Sequence, residues 1–277
     1  MNNSLITASV SMGALQMRLD MLADNFANVN TVGYKRKTAV FEDILTSLNP
    51  QLAEFNQAGR RTPLGLPQGW GTRLTAIQTD LTQGPLNETG LLTDVAIEGN
   101  GLFEVSATGE LGGPRAFTRQ GPFHLVPDES GDRVLVTGTG QRVLGDTGNG
   151  DDFIYVPDGY ELRIAADGTM TAVGAVGIDP IELGRLKVVE VTNADLLVAF
   201  GDNLFGIPAN VDPGSVVRDV PGELSGISVR QGYVEGSNVN MADEMTDLMI
   251  VQRAYQLSAR ALSSSEQMMG MANSLRG

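Results

Sequence analysis

The chain has 277 residues, no cysteine, and a formal charge of −14 from 33 acidic against 19 basic residues. Without cysteine there are no disulfides, thiolate metal sites or cysteine nucleophiles, which suits a protein that passes through changing redox conditions. The acidity argues against nucleic acid, because phosphate binding needs a basic patch. That charge is uneven: residues 1–75 carry 7 Lys+Arg against 5 Asp+Glu, residues 76–236 carry 9 against 24, and residues 237–277 carry 3 against 4. Near-neutral ends suit close packing against copies of themselves, where a large like charge would repel.

At the N-terminal end Leu5, Ala8, Met12, Leu15, Leu19, Leu22, Phe26 and Val29 recur in steps of three and four, which predicts a helix over about Ser4–Asn28. Ile6, Val10, Met17 and Met21 form a second apolar row, broader than one partner helix covers. Met1-Asn2-Asn3 leads into the pattern with Arg18 as the first positive charge, so neither a cleaved signal nor a membrane span is expected. Asn28, Asn30 and Gly33 supply the turn that ends this helix, and Tyr34-Lys35-Arg36-Lys37 follows. Residues 39–45 form a short amphipathic segment, and residues 46–75, with Pro50, Pro63, Pro67 and Trp70, lack periodicity and are expected to be an extended arm.

From about Ala76 the pattern becomes short alternating runs broken by glycine, including Val95-Ala96-Ile97, Leu102 to Val105, Arg133 to Val136, Arg142 to Leu144, Phe153 to Val156, Tyr160 to Ile164, Leu186 to Val191 and Leu196 to Phe200. Such runs predict an all-β sandwich or barrel-like module. Pro221-Gly222 begins the return. Asn240 is then a good N-cap for a proline-free run from Met241 to Leu275. In it Met241, Met245, Leu248, Gln252, Tyr255, Ala259, Leu262, Glu266, Met269 and Asn273 form a heptad seam. At about 1.5 Å per residue that helix is roughly 50 Å long. Leu248-Met249-Ile250-Val251 is apolar on all sides, and a helix apolar all round is buried all round. Neighbouring subunits are expected to cover those faces; the competing arrangement folds both helices onto the β module.

Other signals point to ordinary structure. His124 is the lone histidine, so a histidine-based metal site or Ser-His-Asp triad has little to stand on, and a strand-edge position is expected. Gly138-Thr139-Gly140 reads as a turn rather than a nucleotide loop. Asp146, Asn149, Asp151 and Asp152 miss the EF-hand spacing and read as a solvated turn rather than a calcium site.

Several stretches, in order, resemble the bacterial flagellar rod and hook proteins. Leu22-Ala23-Asp24-Asn25-Phe26-Ala27-Asn28-Val29-Asn30-Thr31-Val32-Gly33-Tyr34-Lys35-Arg36 is similar to their N-terminal signature. Gln83-Gly84-Pro85-Leu86, Asp94 to Phe103 and Phe117-Thr118-Arg119-Gln120-Gly121-Pro122-Phe123 resemble their central motifs. Gly201-Asp202-Asn203-Leu204-Phe205, Gly232 to Asn240 and Met249-Ile250-Val251-Gln252-Arg253-Ala254-Tyr255-Gln256 continue the likeness. Length and arm look most like a distal-rod type.

The resemblance implies export without a cleaved signal peptide, through the flagellar type III apparatus, to the basal body in the cell envelope. It implies ends that are disordered in the free subunit and fold into nested coiled-coil helices on assembly. The fold expected is α+β: long N- and C-terminal helices pairing as a coiled coil (residues 1–45 and 237–277), an extended arm and connecting region (46–85 and 222–236), and an inserted all-β domain (86–221). The function expected is a structural, torque-transmitting rod subunit with no reaction, cofactor, metal or small-molecule substrate, which assembles with copies of itself and other rod and hook proteins. Alternatives are a hook or proximal-rod subunit, or a secreted β-domain binder or polysaccharide hydrolase. The expected assembly interface is Met12, Leu15, Leu19, Leu22, Phe26, Asn28, Asn30, Gly33, Tyr34, Lys35, Asn238, Met245, Leu248, Gln252, Arg253, Tyr255, Leu262 and Met269. Lys35 and Arg36 would make polar contacts to a neighbour or to the acidic β domain.

Overall fold

A computed structural model of the chain describes residues 2–43, 47–48, 67–68, 71–109, 111–128, 131–148, 150–174, 179–201, 203–219 and 226–275. The chain is α+β and divides into two compact units, Met1–Ala27 with Lys37–Gln78 and Asn240–Gly277, and Asn28–Arg36 with Thr79–Val239. Most of the 46–75 arm, with Trp70, lies outside the described residues, as do Asn149 and Pro221-Gly222.

The first unit holds the two helices, Asn2–Ala27 and Met241–Ser274, packed on each other. The long helix starts where its cap predicts: the Asn240 side-chain oxygen accepts the Ala242 amide at 3.1 Å, and Asp243 and Glu244 place negative charge on the positive end of the helix dipole. Strand Lys37–Asp43 pairs with strand Thr72–Thr79, so the amphipathic segment after the first turn is extended, and the downstream end of the expected arm is a strand. No helix among the described residues is long and apolar enough to cross a membrane.

The second unit is built around strand Gly101–Ser106, buried along its whole length. Neighbouring residues of a strand point to opposite faces, so it feeds two cores. Phe103 and Val105 join Val95, Phe123, Leu135, Ile154 and Met170 on one side. Leu102 joins Phe117, Val189, Phe205 and Val217 on the other. Phe103 meets Phe123 edge to face, with centroids 5.2 Å apart, worth about 0.5–1.5 kcal/mol beyond area burial. The central strand pairs antiparallel with Arg115–Thr118, Arg142–Asp146 and Val188–Val191 in a sheet of fourteen strands, which ends at hairpin Val198–Gly201 with Leu204–Gly206.

Two expected strands are each divided. Phe153–Val156 falls into Asp151–Phe153, pairing with Arg142–Asp146, and Tyr155–Val156, pairing with Arg133–Thr137. Leu186–Val191 is cut at Lys187, whose ammonium turns to Asp151 at 2.6 Å and Glu104 at 3.4 Å. His124 is exposed on strand Phe123–Pro127, and Gly140 makes the turn after Arg133–Thr137.

Candidate functional site

The turn after the first helix is closed by its own asparagine. Asn28 accepts the Thr31 amide through its carbonyl at 3.1 Å and the Thr31 hydroxyl through its side chain at 3.0 Å. Gly33, at φ +70°, then donates its amide to the Glu235 carbonyl at 2.8 Å, while the Asn203 side chain donates to the Val32 carbonyl at 3.3 Å. Tyr34 is buried. Asn238 completes the clasp: its oxygen accepts the Arg36 amide at 2.7 Å and its nitrogen donates to the carbonyls of Asp80 at 2.9 Å and Thr82 at 3.1 Å. Only Asn30 of the predicted turn residues is exposed.

Lys35 is only 3 % exposed. Its ammonium donates to Glu235 Oε1 at 2.7 Å and to the Thr82 carbonyl at 2.7 Å. The other oxygen of Glu235 takes Arg119 Nε at 2.5 Å, and Arg119 also donates to the carbonyls of Ile97, Gly99 and Gly101. The Gly84 amide adds a further bond to Oε1 at 2.8 Å. One buried carboxylate therefore holds two buried cations. Burial pushes the Lys35 ammonium below the usual lysine range, opposed by the Glu235 charge beside it. The sequence gives no short-range sign of this anchor, since Lys35, Arg119 and Glu235 stand far apart in the chain and each has polar or glycine neighbours.

Asn25, absent from the predicted set, is fully buried. Its amide donates to the Lys37 carbonyl and its oxygen accepts the Lys37 amide, both at 2.9 Å, as a neighbouring strand would. It also donates to Glu244 of the C-terminal helix at 3.4 Å. Of the remaining predicted residues, Leu22 is buried. Met12, Leu15, Leu19, Phe26, Leu248, Tyr255, Leu262 and Met269 are half-buried, and Met245, Gln252 and Arg253 are exposed. The C-terminal helix also exposes Met249, Ile250, Leu257, Met268 and Met271.

A second charge cluster sits on the β unit. Glu104, buried, lies 2.9 Å from Arg115 Nη1, off the line of its N–H bond, so the contact is ionic without an aligned hydrogen bond. Asp151 takes both cations more directly, Arg115 at 2.8 Å and Lys187 at 2.6 Å. Burial raises the Glu104 carboxyl above its usual value, whereas the Lys187 hydrogen bond lowers that of Asp151. The signs are opposite. Glu104's contribution to stability is present below its unfolded value of 4.5 and lost as pH rises through its raised folded value. Asp151's contribution is present above 3.8 and lost as pH falls through its lowered value. Glu104→Gln should then be as stable as the wild type at pH 7, or more so by up to about 1 kcal/mol, with the gain vanishing below pH 4.5. Urea titrations at both pH values measure this, and a loss above about 2 kcal/mol at pH 7 would show that the ion pair outweighs the burial.

Comparison with known proteins covers these same segments. Residues 5–35 match the family described as flagella basal body rod protein, residues 96–172 the flagellar hook protein FlgE/F/G D1 domain, and residues 230–275 the flagellar basal body rod FlgEFG protein C-terminal family. Lys35, Arg119 and Glu235 fall one in each. Over whole chains, the flagellar basal-body rod protein FlgG of Borreliella burgdorferi is 34 % identical, covering 100 % of this chain and 99 % of its own. FlgG of Agrobacterium fabrum is 35 % identical over 96 % of each chain. The flagellar hook-basal body complex protein FlhP of Bacillus subtilis is 32 % identical over 100 % of each. With helices at both ends, a β unit between them and relatives matched along their full length, the chain belongs to the flagellar basal-body rod and hook protein family and is a structural subunit of the flagellar rod.

Proposed function

We propose that the chain assembles through the apolar faces of its terminal helices, with copies of itself and other rod and hook proteins, into a tube that transmits torque. The observation that carries this is the C-terminal helix. Over Met241–Ser274 only Glu244 and Val251 are buried among the described side chains, while Met249, Ile250, Leu257, Met268 and Met271 stay exposed. Covering each half-exposed apolar side chain contributes about 1 kcal/mol, so a handful per subunit can offset the ordering of a helix end. In this reading Met12, Leu15, Leu19, Phe26, Met245, Leu248, Tyr255, Leu262 and Met269 form nested coiled-coil seams. Gln252 and Arg253 lie at their margin. Asn28, Gly33, Tyr34, Lys35 and Asn238 act indirectly, by holding the turn. The 46–75 arm bridges neighbouring subunits. We assign no reaction, cofactor or metal, in keeping with relatives named as rod proteins.

Limited proteolysis of the dilute monomer, with mass spectrometry of the surviving core, tests the reading. Trimming of both ends is expected to leave a core that retains residues 28–36 together with 79–239. Ends that resist in a monomer would mean that the seams are already covered inside the chain. Cleared zones on a polysaccharide gel would reopen the hydrolase alternative. Met249→Glu combined with Leu257→Glu should abolish incorporation into basal bodies and leave the resistant core unchanged.

A further inference from the structure

With no cysteine in the chain, its sulfur lies wholly in 11 methionines, and their placement is uneven. Four fall within the first 21 residues and six between positions 241 and 271. The β unit has one, Met170, which is 0 % exposed and belongs to the core that holds Phe103 and Leu162. On the helices Met17, Met241, Met245, Met249, Met268 and Met271 are exposed by 42 to 59 %. Over Met241–Ser274, five of the seven large apolar side chains exposed among the described residues are methionines, the others being Ile250 and Leu257. Leucine would supply the same apolar area with a good helix propensity. What methionine adds is a soft, reactive sulfur.

An exposed thioether is within reach of small peroxides. Its sulfur attacks one oxygen of hydrogen peroxide, the O–O bond breaks, and the departing hydroxide takes the proton left on the transferred oxygen. Sulfur is oxidised by two electrons to a sulfoxide, and the peroxide is reduced to water. The product is polar and disrupts methionine-rich interfaces. Covering it without a hydrogen-bond partner costs free energy, and several on one helix compound the loss. Met170 offers no such access, so the reaction falls on the helices and spares the β core.

We propose that Met17, Met241, Met245, Met249, Met268 and Met271 are sites of oxidation by hydrogen peroxide, and that their sulfoxides keep a subunit out of the rod. The second half of this rests on the rod-subunit reading. Assembly covers the faces that carry these side chains, so a subunit already in the tube is shielded and an unassembled one is not. The oxidised subunit keeps a folded β unit and loses the apolar faces it needs to join.

Two measurements test this. In the first, the purified full-length chain is treated with hydrogen peroxide and its peptides are followed by mass spectrometry. The six helix methionines are expected to oxidise at least about tenfold faster than Met170. In the second, cells receive a peroxide pulse just before synthesis of new rods, and the chain is recovered from basal bodies and from the unassembled pool. Sulfoxide per chain should be at least about tenfold higher in the pool. Peroxide also strikes other proteins, so a chain with Met241→Leu, Met245→Leu, Met249→Leu, Met268→Leu and Met271→Leu serves as the control. It should enter basal bodies equally with and without the pulse, while incorporation of the wild type falls by about tenfold. If the leucine chain itself fails to assemble, the sulfoxide ratio of the wild type decides. Met170 oxidising as fast as the helix methionines would overturn the proposal. So would equal sulfoxide in pool and basal bodies, or a leucine chain that peroxide excludes as strongly as the wild type; the rod reading would survive each of these. An untreated wild-type chain that never enters the basal body would sink the rod reading, and the exclusion with it.

Discussion

Replacing Glu235 by glutamine is expected to destabilise the β unit by about 3–5 kcal/mol, the cost of removing one partner from a buried ion pair. The carboxylate is 1 % exposed and receives Lys35, Arg119 and the Gly84 amide. A glutamine of the same shape retains one acceptor oxygen but turns N–H groups toward one of the two cations. Among the described residues no other carboxylate is bonded to Lys35 or Arg119, so a positive charge stays buried without its counter-ion. Urea unfolding followed by far-ultraviolet circular dichroism reads the loss. A cost below about 1 kcal/mol would mean that the surrounding carbonyls hold the cations unaided. Glu104→Gln is the internal contrast. Arg115 and Lys187 keep Asp151, so the same chemical change in an equally buried residue should cost nothing.

Gly33→Ala is expected to cost about 2–5 kcal/mol, from two sources. At φ +70° an L side chain occupies the left-handed region, a strain of about 1–2 kcal/mol. The added Cβ also stands 2.8 Å from the carbonyl carbon and oxygen of Arg119 and from the Gln120 amide nitrogen. These are backbone atoms that cannot swing aside, and such overpacking adds about 1–3 kcal/mol. Gly140→Ala separates the two, since Gly140 has φ +91° with nothing within 4 Å of its Cβ position. It should show the strain alone, about 1–2 kcal/mol. If both substitutions cost the same, the close approach of Gly33 to Arg119 carries no energy. Because the clash falls on the residue that holds Glu235, Gly33→Ala and Glu235→Gln together should cost less than the sum of each alone.

Much of the fold was legible in local pattern. The two helices appear within two residues of the stretches that apolar spacing marks, and Asn240 caps the second through a bond to Ala242. Most alternating runs from Val95 onward are strands, because period-two hydrophobicity suits a strand with one face in a core. Arg115–Thr118, Thr169–Val173 and Leu204–Gly206 were not separable as strands by pattern, because threonine, glycine or arginine takes up much of each and leaves few apolar positions. Lys187 likewise gives no local warning that it ends one strand and begins another by turning to a buried carboxylate.

The candidate site divides along the same line. The apolar seams, the near-neutral ends and the asparagine and glycine of the turn are properties of neighbouring residues, and the sequence by itself determined them. Tertiary structure alone decided that Lys35 is an internal anchor and not a surface contact, since its partner Glu235 lies 200 positions away. Likewise only the folded core hides Met170 while the helices leave six methionines exposed. Spacing of three, four or two residues reports which way neighbouring side chains point. Which distant charge or cavity they meet depends on chain reversals that no local period encodes.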